Sequence, residues 1–278
     1  MNTTSAMLYL FARSPLHVGA GSSVGAIDMP IQRERHTQIP IVPGSSLKGV
    51  LRDLWDRKSA DQYELFGPEG DEADHYAAGN LLVGEARVVC FPVRSAKGSF
   101  AWLTSPLALQ RYARDAGKPA PAIPALKDEE CLAGGGVVVR DNQVVLEEYC
   151  FSSKGTPDDA VSLLKGALPD DPLWATLAQR LVVVADGIFS HFCASACEVQ
   201  QRIRINDETG TVDHGGLFNQ ENVPSETLFY AVMGQRRPGK KGLAELKAKL
   251  EVARILQIGG DETIGLGFCS VVMTGGAS

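Results

Sequence analysis

The sequence predicts an α+β fold, and three patterns along the chain lead to this prediction. Bulky apolar residues alternate with other residues over Met7–Val18, which is typical of a β-strand. Apolar residues recur at helical spacing from Ser45 onward. Arginine and isoleucine then alternate over Arg202–Ile205, just before a polar turn, which predicts an exposed β-hairpin.

The first strand and the first helix enclose a glycine-rich loop. Pro15 lies near the end of the alternating pattern, so we expect the strand to end where the glycines begin. A helix then begins at the sequence PGSS, where a serine is the expected N-cap. Its apolar face consists of Leu47, Val50, Leu51, Leu54 and Trp55. Lys48, in the first turn, and Arg52 lie on another face of this helix.

The middle of the chain adds further elements. Ala60–Asn80 is acidic and carries glycine turns, so we interpret it as an exposed loop or insertion. Leu81–Val93 predicts a strand and Ser105–Asp115 a short helix. Val137–Val139 and Val144–Leu146 flank four polar residues, which suggests a hairpin.

The last third of the chain contains the exposed hairpin, a helix and two strands. Strands are predicted at Thr227–Val232 and Phe268–Met273. Leu243–Ile258 has the spacing of an amphipathic helix. A second glycine-rich loop, Gly259–Gly267, joins this helix to the final strand.

The distribution of charge matters more than the total. The net charge is −6, but Ala60–Asn80 alone holds six acids and no lysine or arginine, so the rest of the chain sums to zero. Ile31–Lys58 has six cations against three acids, and Met233–Lys249 has six against one. Because electrostatic screening is local, over about 8–10 Å, an acidic chain can still present a basic groove to a nucleic acid.

The sequence carries no signal for a membrane or for export. No apolar run reaches the roughly 18–20 residues of a membrane span, and the polar Met1–Ala6 does not resemble a signal peptide. We therefore expect a cytoplasmic protein with no membrane partner and with reduced cysteines. His191, Cys193 and Cys197 lack a second pair at zinc spacing, so we interpret the cysteines as small buried apolar residues.

Several residues allow both a functional and a structural interpretation. Asp28, in the first glycine-rich loop, is either a turn aspartate or a reactive carboxylate, and His17 is either structural or catalytic. Lys48 is either a solvated side chain or, with the N-terminus of its helix, part of an anion site. The Gly259–Gly267 loop is either a tight turn or a place where an RNA backbone approaches closely.

Three segments together resemble the RAMP superfamily of CRISPR proteins, and in particular the repeated, Cas7-like backbone subunit of type III-B (Cmr) effector complexes. They read PLHVGAGSSVGAIDMPIQRERHTQIPIVPGSSLKG near the start, RIRINDETGTV followed by LFNQENVPSETLFY, and IGGDETIGLGFC near the end. Their order and spacing match the family along nearly the whole chain. The first segment is the specific one, because a glycine-rich end alone would indicate only the superfamily.

The resemblance implies a fold and an activity. The chain, 1–278, would be a single modified RRM-like (ferredoxin-like) palm, with a β-hairpin thumb inserted at about 200–224 and the acidic insertion at 60–80. Copies would stack as a helical filament on a CRISPR guide RNA, beside other Cmr subunits, and cut paired single-stranded target RNA at regular intervals. The aspartate needed for cutting corresponds to Asp28, which would also bind Mg²⁺ or another divalent metal, and His17 is a weaker catalytic candidate.

The resemblance also implies RNA contacts. The residues expected to hold the guide backbone are Ser45, Ser46, Lys48, Arg52, Gly259, Gly260, Gly265 and Gly267. The thumb residues expected at the target RNA are Arg202, Arg204 and Glu221. Two other functions stay open from the sequence: a guide-binding backbone subunit without catalysis, and a stand-alone endonuclease that processes guide precursors. The presence of Asp28 favours the target nuclease.

Overall fold

The computed structural model of the protein describes residues 5–21, 26–68, 78–206 and 208–275. Residues 22–25 of the first glycine-rich loop and the acids Glu69, Asp71, Glu72 and Asp74 of the predicted insertion lie outside the described residues. The strands are β1 (Ser5–Ala12), β2 (Ile41–Val42), β3 (Leu81–Val83), β4 (Ala86–Ser95), β5 (Ser99–Thr104), β6 (Glu130–Ala133), β7 (Gln143–Leu146), β8 (Tyr149–Ser153), β9 (Leu181–Val184), β10 (Glu198–Ile205), β11 (Val212–Asn222), β12 (Leu228–Gln235), β13 (Ile255–Gln257) and β14 (Phe268–Gly275). The helices are α1 (Gly44–Arg52), α2 (Ala60–Phe66), α3 (Pro106–Asp115), α4 (Asp158–Leu164), α5 (Leu177–Arg180), α6 (Asp186–Ser195) and α7 (Leu243–Ala253).

The centre of the molecule is an antiparallel sheet in the order β14-β1-β12-β4. Helix α1 lies between β1 and β4 in the chain, and α7 lies between β12 and β14. This repeated strand–helix–strand arrangement is the ferredoxin-like one, so the predicted α+β palm is confirmed. The predicted thumb is also present, because β10 and β11 form a separate two-stranded antiparallel sheet.

Apolar side chains fill both faces of the central sheet. Along β1, Leu8 and Leu10 belong to one core, which also contains residues of α1 and α7. The alternate residues Tyr9 and Phe11 belong to a second core, which contains residues of α3 and α4. Side chains point alternately to opposite faces of a strand. A strand buried on both faces therefore fixes the register of its neighbours firmly.

The sheet continues beyond β4 through β5, β9, β6, β8 and β7. The hairpin predicted from Val137–Val139 and Val144–Leu146 is wrong, because β7 pairs with β8 instead, with Val144 opposite Phe151. The actual turn is at Glu147, whose φ is 48°. A glutamate in the left-handed region is uncommon, so the sequence held no turn signal at this position.

Several predicted boundaries need correction. The first strand ends at Ala12, not Val18, and Ala60–Phe66 is helical, with the Ser59 hydroxyl accepting from Gln62 N–H at 3.2 Å. The predicted strand at Leu81–Val93 is two strands, β3 and β4. The predicted last helix ends at Ala253, where Arg254 adopts the left-handed conformation and the chain enters β13.

The serine N-cap predicted for the first helix is wrong. Pro43 occupies the N-cap position of α1, and no side chain caps the helix. Lys48 is the fifth helical residue and lies beyond the first turn. Among the described residues, no helix has the length and apolar character needed to cross a membrane.

Candidate functional site

Three segments meet near the end of β1: the loop that follows this strand, the base of β11 and the second glycine-rich loop. Leu16 and Val223 exchange two backbone hydrogen bonds, at 2.8 and 2.9 Å. Gly260 N–H donates to the carbonyl of His17 at 2.9 Å, and Gly267 N–H donates to that of Pro15 at 2.8 Å. Backbone bonds therefore hold together residues that the sequence separates by up to about 250 positions.

Asp28 lies on this junction and is exposed. Its Oδ2 accepts the backbone N–H of Asn219, in β11, at 2.8 Å. Met29 adds two backbone bonds to the same strand, one from its N–H to the Asn219 carbonyl and one from Glu221 N–H to its own carbonyl, both at 3.0 Å. The carboxylate is therefore anchored at the base of the hairpin through Oδ2, and among the described residues its other oxygen has no hydrogen-bond partner.

His17, which follows Leu16 in the loop after β1, is 4% exposed. Its Nδ1 is 2.7 Å from the backbone carbonyl of Glu221. A carbonyl only accepts, so Nδ1 carries a proton and donates it. The Nε2 side faces Gly19, where an added Cβ would lie 3.1 Å from Nε2. This placement gives His17 a structural contact with the loop and the hairpin, and its catalytic role stays a prediction.

Glu221 is also buried, at 4% exposure. Its Oε1 lies 2.6 Å from Nη2 of Arg33, and its Oε2 accepts the backbone N–H of Ile31 at 3.1 Å. Both carboxylate oxygens are therefore used inside the protein. A contact between Glu221 and target RNA stays a prediction, and these bonds do not support it.

Arg33 is held on several sides. Its Nη1 donates to the carbonyls of Gln38 at 2.6 Å and Cys193 at 2.8 Å, and its Nη2 also contacts the Cys197 thiol at 3.3 Å. Burial by itself lowers the pKa of the Arg33 guanidinium, but Cys197 and Glu221 outweigh this effect and raise it. Burial raises the pKa of Cys197 to about 12, so this thiol is neutral beside the arginine.

The predicted thumb residues are placed differently from one another. Nη1 of Arg202 lies 3.2 Å from Oδ2 of Asp261, in the second glycine-rich loop. The same oxygen accepts from Nε2 of Gln220 at 2.7 Å. Arg204, farther along β10, is exposed. Arg202 therefore ties the thumb to the palm, whereas Arg204 presents its charge at the surface.

The four predicted glycines divide into two pairs. Gly259 has φ +87° and Gly267 has φ +79°, and a Cβ added to either would collide with a backbone carbonyl, of His17 and Ile258 respectively. These two glycines are required by the fold itself. Gly265 has φ +86° with open space around it, and a Cβ at Gly260 would make only ordinary contacts.

Helix α1 presents part of the predicted guide-binding set. Ser45 is exposed, whereas Ser46 and Lys48 are half-buried. Burial, with a smaller contribution from the charge of Arg52, lowers the pKa of Lys48. Arg52 is 8% exposed, and its Nη2 donates to the carbonyl of Gly67 at 2.9 Å. The Arg52 side chain is therefore part of the fold, and its contact with the guide stays a prediction that this bond does not support.

Several residues of the junction were missed by sequence analysis. Asn219, Gln220 and Asp261 contribute bonds there, and the sequence analysis counted Arg33 only among the six cations of Ile31–Lys58. Their signals were weak because isolated polar residues are common in exposed strands and loops. Among the described residues, no group of three or more His, Cys, Asp or Glu side chains could hold a metal ion.

Comparison with known proteins places the whole chain in one group. Residues 10–270 match the model of the RAMP superfamily. The "CRISPR system Cmr endoribonuclease Cmr4" of Pyrococcus furiosus is 39% identical over 280 residues, which cover 95% of this chain and 94% of that protein. The "CRISPR system CMR subunit Cmr4" of Saccharolobus solfataricus is 26% identical, over 93% of each chain.

Solved structures agree with the sequence comparison. The crystal structure of oligomeric Cmr4 from Pyrococcus furiosus superposes with a TM-score of 0.74 at 29% identity, over 99% of each chain. A chain of the type III-B Cmr-beta complex bound to cognate target RNA has a TM-score of 0.72 at 20% identity, over 97% of this chain and 96% of that chain. The second likeness shows the fold alone.

Proposed function

This chain belongs to the RAMP superfamily, and from that premise we propose that it is the guide-binding backbone subunit of a type III-B CRISPR effector complex and cuts the paired target RNA. The Pyrococcus furiosus relative, named an endoribonuclease, shares 39% of its residues over almost the full length of both chains. The proposal includes assembly of several copies along one guide, beside other subunits of the complex.

The placement of Asp28 is the observation that carries the proposal. The carboxylate is exposed, and it is bonded to Asn219 at the base of the hairpin. A reactive group at this position lies where a protruding hairpin would disturb a guide–target duplex. The bond to a strand 191 positions away fixes the carboxylate relative to the hairpin and not only within its own loop.

The guide is proposed to lie along the N-terminal half of α1 and the second glycine-rich loop. Ser45 and Ser46 supply hydroxyl and backbone donors, and Lys48 supplies a positive charge. Gly260 and Gly265 leave room for a close approach of the RNA backbone. Contacts of this kind read phosphates and sugars rather than bases, as a subunit that accepts any guide sequence requires.

The proposed reaction uses a nucleophile that RNA itself provides. The 2′-hydroxyl oxygen attacks the adjacent phosphorus, the bond from phosphorus to the 5′-oxygen breaks, and the products are a 2′,3′-cyclic phosphate and a 5′-hydroxyl. Asp28 either accepts the 2′-hydroxyl proton or would hold a Mg²⁺ ion beside the phosphate, in which case solvent takes that proton. Solvent protonates the leaving oxygen in both cases. The protein also holds the nucleotide in line for this attack, which accounts for much of such catalysis.

A divalent metal is part of the proposal, and the residues present would fit it if the substrate RNA supplied most of its ligands. Asp28 supplies one hard oxygen ligand, and no cluster of three ligands exists among the described residues. Mg²⁺ often binds through one or two carboxylates together with phosphate oxygens of the substrate. When bound, it would neutralise negative charge on the attacked phosphate.

The test is cleavage of a labelled target RNA by the assembled, guide-loaded complex with Mg²⁺, comparing wild type with Asp28→Asn. Asp141→Asn is a matched control, because Asp141 is exposed on a distant turn with φ 56°, which asparagine tolerates. We expect regularly spaced cuts in wild type and control, and none with Asp28→Asn. Cutting by Asp28→Asn at the wild-type rate would place catalysis elsewhere, and no cutting by any complex would leave a guide-binding scaffold.

A further inference from the structure

Arg33 occupies the point where the thumb joins the palm, and nothing in the proposed chemistry uses it. Its side chain is 14% exposed, and that of its partner Glu221 is 6% exposed. The guanidinium contacts the carbonyl of Cys193 in the last turn of α6. Helix α6 leads directly into β10, the first thumb strand, whereas Glu221 lies at the end of β11, the second thumb strand. Arg33 thus bonds to the chain on both sides of the hairpin.

The same pair controls the segment that carries Asp28. Glu221 accepts from Arg33 through Oε1 and from the backbone of Ile31 through Oε2. Its own backbone N–H donates to the carbonyl of Met29, the residue after Asp28. Glu221 therefore bonds this segment to β11 twice, through its carboxylate at Ile31 and through its backbone N–H at Met29.

We propose that Arg33, acting through Glu221, is a positioning residue that fixes the Asp28 carboxylate relative to the base of the thumb, so that the two move as one unit. This inference rests on the proposed function. Arginine suits the position because its planar fork reaches the Cys193 and Gln38 carbonyls on one nitrogen and Glu221 on the other. Cys193 lies near the C-terminal, carbonyl end of α6, and this end of a helix favours a nearby cation.

A neighbouring ion pair offers a matched control. Glu34, the next residue in the chain, is 8% exposed and pairs with Arg111 of α3, with Nη1 at 2.9 and 3.1 Å from the two carboxylate oxygens. This pair anchors the same segment to the palm, and among the residues that the structure describes it has no bond to the thumb. Arg33→Met and Arg111→Met each remove a guanidinium from a buried carboxylate. Only Arg33→Met removes an ion pair with a thumb residue, Glu221.

The experiment measures single-turnover cleavage and target binding by guide-loaded complexes that carry wild type, Asp28→Asn, Arg33→Met, Glu221→Gln, Arg33→Lys or Arg111→Met. We expect Arg33→Met and Glu221→Gln to reduce the rate at saturating target by about 10- to 100-fold, the size expected for a displacement of about 1 Å. Target affinity should change by less than about two-fold, because only the reacting geometry is altered. Arg111→Met should lower thermal stability and leave the rate of intact complexes unchanged.

Arg33→Lys keeps the positive charge but loses the two-nitrogen fork of the guanidinium, so we expect a cleavage rate between those of wild type and Arg33→Met. If Arg33→Met does not assemble, the rate of Arg33→Lys tests the inference instead. A wild-type rate for Arg33→Lys and Glu221→Gln, normalised to intact complexes, would overturn the inference. An equal loss in Arg111→Met would overturn it too, because the effect would then be general loosening of the segment. Failure of the proposed function is recognised separately, by wild type that does not cut or by Asp28→Asn that does.

Discussion

The carboxylate of Asp28 accepts the backbone N–H of Asn219 across 191 positions of sequence. The bond joins a residue of the first long loop to the returning strand of the hairpin. It explains how a single aspartate in a glycine-rich segment acquires a fixed position in the molecule. It also means that the orientation of the hairpin and the position of the candidate catalytic group are set together.

Lys48→Glu is expected to weaken guide RNA binding. Burial already lowers the pKa of Lys48, and a phosphate nearby would favour its charged form, so the exchange removes an attraction and adds a repulsion. The slope of log affinity against log salt should fall by about 0.7 per subunit, as expected for one lost phosphate contact on a single strand. Lys118→Glu is the control, because this lysine is exposed on another part of the surface. If both variants keep the wild-type salt slope, Lys48 makes no phosphate contact.

Alanine substitutions at two neighbouring glycines should separate fold from RNA contact. Gly259→Ala forces a side chain into φ +87° and against the His17 carbonyl, so the free energy of unfolding should fall by at least about 1–3 kcal/mol. Gly260→Ala meets only ordinary contacts, so stability should stay within about 0.5 kcal/mol of wild type. Chemical denaturation measures both. Reduced guide affinity in the stable Gly260→Ala protein would support close approach of the RNA backbone, and unchanged affinity would refute it.

His17 should act through hydrogen bonding rather than proton transfer. His17→Ala removes the donor from the buried Glu221 carbonyl, and an unsatisfied buried acceptor costs about 1–3 kcal/mol. His17→Asn offers a side-chain N–H in place of Nδ1 and should restore part of the lost stability and cleavage. The deciding measurement is the pH–rate profile of cutting. An unchanged profile fits the structural role, whereas loss of an ionisation near neutral pH in His17→Asn would make His17 a general acid or base.

The Glu34 carboxylate is expected to stabilise the folded protein at neutral pH and to lose this contribution in acid. Burial raises the pKa of this carboxyl, but bonds from the Thr37 hydroxyl and Arg111 outweigh it, so the folded-state pKa is below the ordinary value of 4.5. The stabilisation is therefore fully present above about pH 4.5 and is lost as the pH falls through the folded-state value. Urea unfolding from neutral to acid pH should show a smaller acid loss in Glu34→Gln than in wild type. Parallel curves for the two proteins would contradict this assignment.

The periodic parts of the fold were accessible from the sequence. Alternation over β1, helical spacing in α1 and α7, and the arginine–isoleucine pattern of β10 all predicted elements of the correct type. Each of these signals follows from a face that is buried or exposed within one element. The features that were missed or misplaced include the turn at Glu147 and the end of α7 before β13. Both depend on a left-handed backbone, at Glu147 and at Arg254, which these residue types rarely adopt.

The sequence by itself determined the family, the order of the main elements and the presence of Asp28 in a glycine-rich loop, because these depend on residue types and local spacing. Only the tertiary structure decided what surrounds Asp28. It placed His17 and Glu221 inside the protein, committed Arg52 to the Gly67 carbonyl, and made Arg33 the link between palm and thumb. The physical reason is that buried polar groups must find partners. Those partners come from segments far away in the chain, so no local pattern can identify them.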